Sequence, residues 1–187
     1  MGLFVYKMFD KGLRCRGYKF KVGLNVCDHA TCVKEGFHAA ENPLDCLSYY
    51  SHFDDSECWL CYADEEVHEN GTDTKISCTR LEILRRLSKP VFVAEAVNYI
   101  LAHPRRALNS RVFACDKKSR VAPVNSNGFA IAVGEEPKAK ASANGDIIAL
   151  LVTSRNGNGY EKIVFLHGDE VKRGVTYKAW RDPDECE

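Results

Sequence analysis

The run Gly36-Phe-His-Ala-Ala-Glu-Asn-Pro-Leu-Asp-Cys-Leu-Ser-Tyr-Tyr50 reads as a short strand, a sharp break and an amphipathic helix. Gly36 permits a backbone angle closed to most residues, and Phe37, His38 and Ala39 can alternate faces as a strand. Asn42 is placed to cap a helix that starts at Pro43, where a missing N–H costs nothing. Leu44, Leu47 and Tyr50 then share one helical face. N–H groups at a helix start attract anions, so the junction is a candidate site; the same pattern also serves as plain scaffold.

Outward from this junction the first unit reads as mixed strand and helix. Leu3–Tyr6 and Tyr18–Val22 are rich in aromatic and β-branched residues, and Gly12, Gly17 and Gly23 punctuate them as turns. Cys58–Ala63 predicts a buried strand. Asn70-Gly71 is a strong hairpin signal, and Thr74–Leu84 reads as the returning strand. Val91–Ala102 predicts a helix with Phe92, Ala96, Tyr99 and Ile100 on one face, closed by Pro104. Beyond Asn109 short alanine-bearing strands recur at Phe113, Val121, Phe129, Ala139 and Ile147, with Gly or Asn after several of them. Alanine suits the tight interior of a stacked β-coil. The expected fold is α+β: a strand-and-helix module over residues 1–108, then a solenoid-like β-coil with capping strands over 109–187.

The formal net charge is zero, yet the charges are segregated. Between Glu41 and Thr74 stand ten acidic residues and no Lys or Arg; between Lys75 and Arg120 eleven bases face three acids. Such asymmetry either steers a partner or is neutralised when the two segments pack together. No apolar run reaches the roughly 20 residues of a membrane span. The start of the chain lacks the pattern of a secretory signal, and position 6 is Tyr, which does not suit myristoylation. Nine cysteines without an export signal suggest reduced thiols, so a cytoplasmic location is expected.

The combination Tyr6–Asp10, Leu13–Tyr18, Val22-Gly23, Gly36–Asp45 and Tyr49-Tyr50 resembles a domain family of phage and prophage genomes. In that family the N-terminal module is often followed by Ala/Asn/Ser/Gly-rich coil repeats and a short β tail. The resemblance implies a setting in the host cell cytosol and no defined activity. Gly36–Tyr50 is also similar in cadence to the second motif of ADP-ribosyltransferases of the His-Tyr-Glu type. That likeness implies that Tyr49 or Tyr50 stacks on the nicotinamide of NAD. Where the first motif should hold a His-Gly pair this chain has Lys7-Met8, and Glu161 and Glu170 are the acids available for a third.

Other chemistry is thinner. Cys27, Cys32, Cys58 and Cys61 supply soft zinc ligands, but Cys58 and Cys61 on one strand point to opposite faces, so no metal is expected. His38, next to the helix junction, could work beside Cys46 or Glu41, but the sequence shows no orienting third group. No phosphate loop, HExxH helix or GxSxG elbow is present, and nucleic acid is not expected as a direct ligand. The acids Asp54, Asp55, Asp64, Glu65 and Glu66 form a candidate binding surface that imitates a phosphate chain. The expected function is a phage-type accessory protein that binds a host macromolecule, with inhibition of a host defence system as its most concrete form. It needs no cofactor, makes no membrane contact and is compatible with a homo-oligomer. The alternative is an ADP-ribosyltransferase-like enzyme that uses NAD, with Tyr49, Tyr50 and His38 as candidate catalytic residues.

Overall fold

The computed structural model of the 187-residue chain describes residues 2–31, 34–65, 67–69, 73–115 and 120–181. The chain is mostly β-sheet and divides into two compact units, residues 1–92 and 93–187. No helix among the described residues is long and apolar enough to cross a membrane.

The first unit holds strands β1 (Leu3–Asp10), β2 (Arg14–Cys15), β3 (Tyr18–Lys19), β4 (Gly23–Val26), β5 (Phe37–Ala40), β6 (Ser56–Asp64), β7 (His68–Glu69), β8 (Lys75–Cys78) and β9 (Arg80–Arg86). They form one antiparallel sheet in the order β4-β9-β6-β1-β5-β8-β7, and β2 and β3 make a small hairpin continuing from β1. The expected single strand from Thr74 to Leu84 is two strands, broken at Thr79. The break has a geometric consequence. In the sheet order β8 and β9 are four strand spacings apart, about 19 Å if the sheet were flat. One residue joins them in the chain, and two Cα steps span at most about 7.6 Å. The sheet must therefore curl until its two sides approach. Thr79 seals the approach: its carbonyl accepts from the Cys27 N–H at 2.9 Å, and its N–H donates to the Glu65 carbonyl at 3.3 Å.

The interior of the curl is built by alternation. Val5 and Phe9 of β1, Phe37 and Ala39 of β5, Cys61 and Ala63 of β6, Ile76 and Cys78 of β8, and Leu81 and Ile83 of β9 form one buried cluster with Phe20. The expected strand from Tyr18 to Val22 stops at Lys19. There the Asn25 side chain accepts from the Lys21 N–H and donates to the Lys21 and Gly23 carbonyls, which folds the segment into a turn with Gly23 at φ 88°.

Helix α1 (Pro43–Cys46) begins as the sequence implies, with Asn42 Oδ1 accepting from the Leu44 N–H at 3.0 Å. It runs one turn, shorter than the expected amphipathic helix; Ser48, Tyr49 and Tyr50, all indifferent helix formers, follow as turn and coil. Gly36 has φ 87°, and a Cβ there would lie 2.7 Å from Ala30 Cβ and 3.1 Å from the Cys78 carbonyl. Gly36→Ala is expected to lower stability by more than the 1–2 kcal/mol or so of a left-handed L-residue alone. Urea denaturation checks this, and an unchanged midpoint contradicts it.

Helix α2 (Lys89–Ala102) starts two residues before the expected Val91, because Pro90 is tolerated in a first turn. Phe92, Ala96 and Ile100 are buried as read, joined by Val93 and Val97, and Tyr99 is half-buried against His103. In the first unit Phe92 packs on Phe53 with ring centroids 5.1 Å apart.

The second unit contains β10 (Val112–Ala114), β11 (Ala122–Pro123), β12 (Phe129–Gly134), β13 (Lys138–Lys140), β14 (Gly145–Thr153), β15 (Tyr160–Gly168) and β16 (Thr176–Lys178). One sheet has the order β10-β12-β14-β15 and the other β11-β13-β16. The pairs β10–β12, β12–β14 and β11–β13 are parallel, while β15 and β16 close their sheets antiparallel. No parallel stack among the described residues is deeper than three strands. Ala122, Ala130, Ala132, Ala139 and Ala141 share a buried cluster with Ile148, Leu150 and Val152, so the alanines are core residues of this unit, while the expected solenoid-like coil is not shown.

Candidate functional site

Strand β1 pairs with β6 along its whole length but with β5 at Tyr6↔Ala40 alone. A continued register would set Met8 against His38; instead the strands part and a cleft of about 550 Å³ opens between them. Two side chains take over the backbone partners that the missing ladder leaves. Lys7 Nζ donates to the His38 carbonyl at 2.6 Å, and Cys46 Sγ, from α1, donates to the Tyr6 carbonyl at 3.3 Å. The splay is thus stabilised from inside by a lysine and from α1 by a thiol.

The β2–β3 hairpin forms the rim. Its two-residue loop, Arg16 at φ 48° and Gly17 at φ 81°, has the backbone of a type I′ turn, the hand that matches strand twist. This places Cys15, Arg16 and Tyr18 on the cleft wall. The rings pack inward in series, edge-on or tilted: Tyr18 to Phe20 at 4.6 Å, Phe20 to Phe37 at 5.0 Å and Phe20 to Phe9 at 5.1 Å between centroids. Tyr49 and Tyr50 line the same cleft. Lys75 Nζ sits 4.5 Å over the Tyr49 ring centre, whose hydroxyl donates to Asp73 at 3.3 Å.

The charge balance of the lining is positive without Lys7: Arg16 and Lys75 against Asp10. Burial lowers the Lys7 pKa, with weaker opposing pulls from Cys15, Cys61, Cys46 and Cys78. Burial pushes the Cys46 thiol up to about 12 despite the nearby Lys7. Burial and then a hydrogen bond with Cys15 raise the Tyr50 phenol above its ordinary value. His38 is held neutral: burial first, then Lys75, Lys7 and Arg16, lower its pKa from 6.5 to about 4. Its Nε2 is buried and has no hydrogen-bond partner among the described residues.

A pH dependence follows from His38. Between pH 6.5 and about 4 the unfolded chain binds a proton that the folded chain refuses, so this group's contribution is complete above 6.5 and is lost as pH falls toward 4. Thermal midpoints should drop further from pH 7 to pH 4.5 in the wild type than in His38→Gln. Parallel curves contradict the assignment.

The structure brings together Tyr49, Tyr50, His38 and the Lys7-Met8 stretch, all on the cleft. It places the acidic candidates elsewhere. Asp54 pairs with Lys89 at 2.9 Å, Glu65 with Arg80 at 3.6 Å, Asp64 faces Arg80 across the β6–β9 ladder, and Asp55 is exposed in a 3-10 turn. Glu66 lies outside the described residues, as do Asn70, Gly71 and Cys32. Arg86 adds a third pair with Glu57 at 3.8 Å, so the acidic and basic segments partly neutralise each other within the first unit. Cys58 pairs in register with Met8 and Cys61 with Val5, which sets the two thiols on opposite faces. Cys27 Sγ donates to backbone carbonyls, including that of His29 at 3.6 Å. Among the described residues no three His, Cys, Asp or Glu side chains gather as a metal requires. In the second unit Glu161 pairs with Arg181 at 2.6 Å, and Glu170 is exposed.

Cys15, Arg16, Tyr18, Phe20 and Phe37 line the cleft without having been singled out as site residues by sequence. One signal was present: in β1 the alternation Val5, Lys7, Phe9 puts a charge on the core face of a strand. No curated protein matches the chain, and no solved structure does. A DUF7666 domain, a domain of unknown function, covers residues 3–95 and contains every residue that lines this cleft.

Proposed function

We propose that the first unit is a nucleotide-binding module and that the cleft between β1 and β5 is its site. The observation that carries this is the composition of one cleft wall after another. Tyr18, Phe20, Phe37, Tyr49 and Tyr50 offer aromatic surface for a base, and Arg16 and Lys75 offer cations for phosphate. Mostly apolar lining with a few convergent polar groups is the usual make-up of a small-molecule site.

NAD is a ligand of this class. Its use as an ADP-ribosyl donor, with Tyr49 or Tyr50 against the nicotinamide, is the catalytic form of the proposal. What supports it is that Tyr49, Tyr50 and His38 line a single cleft; what weakens it is that the first-motif position on that cleft holds Lys7-Met8 in place of His-Gly. A phage-type role through a host macromolecule is the second reading. It draws on Asp54 and Glu65, whose side chains are 79% and 63% exposed, and is weakened by their pairing with Lys89 and Arg80.

Calorimetric titration with AMP and with NAD tests the site, using wild type, Tyr50→Ala and Lys75→Glu. Saturable binding is expected, weakened about tenfold or more by Lys75→Glu, which corresponds to some 1.4 kcal/mol. Binding indifferent to both substitutions, or none, contradicts the proposal. Transfer of label from NAD to a protein acceptor, lost in Tyr49→Ala or Tyr50→Ala, separates the catalytic form from binding alone.

A further inference from the structure

Lys7 is the least expected side chain in the cleft. It is 6% exposed, and its neighbours on the same face of β1 are the core residues Val5 and Phe9. Its amine donates to the His38 carbonyl at 2.6 Å, lies 3.9 Å from Cys15 Sγ and 5.3 Å from the ring centres of Phe9 and Phe20. Among the described residues no carboxylate forms an ion pair with it. A buried lysine without a counter-ion costs free energy that a methionine of similar length would not. The surrounding apolar wall favours the uncharged amine, the form whose lone pair is a nucleophile.

We propose that Lys7 captures the carbonyl group of a phosphate-bearing ligand as an imine. This rests on the cleft being the ligand site proposed above. The Nζ lone pair forms the new C–N bond while the carbonyl π pair moves onto oxygen, which takes one proton from the nitrogen. The C–O bond then breaks as that oxygen accepts the second proton given up by nitrogen and leaves as water, so no oxidant or reductant is needed. The Cys15 thiol, 3.9 Å from Nζ, is placed to relay these protons. The substrate class is an aldehyde or open-chain sugar carrying phosphate. The ADP-ribose released when the glycosidic bond of NAD is cut has both features.

The test uses pyridoxal 5′-phosphate, an aromatic aldehyde with a phosphate, beside pyridoxine 5′-phosphate, its alcohol, on the full chain. The aldehyde is reduced with borohydride and the adducts are mapped by peptide mass; the alcohol is titrated calorimetrically. Expected is an adduct at Lys7 at aldehyde concentrations about tenfold below those that label any other lysine. The adduct should be absent in Lys7→Met, and also in Lys7→Arg, which keeps the charge if the methionine variant does not fold. Alcohol binding with label scattered over other lysines overturns the assignment of Lys7 and leaves the nucleotide site standing. Neither binding nor a Lys7 adduct overturns both. A Lys7 adduct without alcohol binding supports capture by Lys7 and removes the non-covalent phosphate site.

Discussion

Phe9→Ala should destabilise the first unit by about 3–5 kcal/mol, the usual cost of emptying a buried aromatic position. Phe9 is fully buried at the centre of the curled sheet, and its ring meets Phe20 edge to face at 5.1 Å. Phe20 belongs to no strand; its N–H donates to the Leu13 carbonyl at 2.9 Å, and its ring is packed by those of Phe9, Phe37 and Tyr18. Truncating Phe9 leaves a void against the Phe20 ring. The cleft wall should loosen together with the core, so Phe9→Ala should weaken AMP binding even at temperatures where the protein stays folded. Urea denaturation and the titration above read the two effects. A stability loss under about 1 kcal/mol, against the expected range, contradicts the packing described.

Asp146→Ala should be the costliest polar change in the second unit, by about 2–3 kcal/mol. One carboxylate oxygen of this buried residue accepts from the Ser142 N–H at 2.7 Å, the Ser142 hydroxyl at 2.9 Å and the Ala143 N–H at 2.8 Å. Alanine strands all three donors at the turn that leads into β14, the strand shared by parallel β12 and antiparallel β15. Asp146→Asn retains an acceptor oxygen without the charge and should cost about half as much. Denaturation followed by hydrogen exchange on β12 and β14 checks both. Equal stability of all three proteins contradicts the role given to Asp146.

Local chemistry was the legible part of the sequence. The Asn42 cap, Pro43 at the helix start and the positive φ of Gly17, Gly23 and Gly36 follow from single residues, and all are present. What sequence could not supply was pairing across distance. The eleven-residue strand expected from Thr74 to Leu84 carries one irregularity, an apolar alternation that runs Ile76, Cys78 and then Leu81, Ile83, out of phase across Thr79, but that slip does not say that the chain there leaves one side of the sheet for the other. The same blindness hid the cleft. Tyr49, Tyr50 and His38 were legible as a junction, but Arg16, Tyr18 and Lys7 reach them only because β1 and β5 share a single paired position. Of the two outcomes the charge segregation allowed, partial neutralisation is the one the ladder provides: β6 and β9 lie side by side, so Glu65 and Glu57 meet Arg80 and Arg86 across a pairing that is invisible along the chain.

The central claim is that the opening between β1 and β5 is a ligand site, and nuclear magnetic resonance of isotope-labelled protein titrated with AMP tests it most directly. Saturable shifts should concentrate on the backbone amides of Cys15–Tyr18, Phe37–Ala39 and Tyr49-Tyr50, which come from three separate segments and meet only at the cleft. No saturable shifts at millimolar AMP, or shifts gathered on the Asp54–Asp55 surface with the cleft silent, would contradict it.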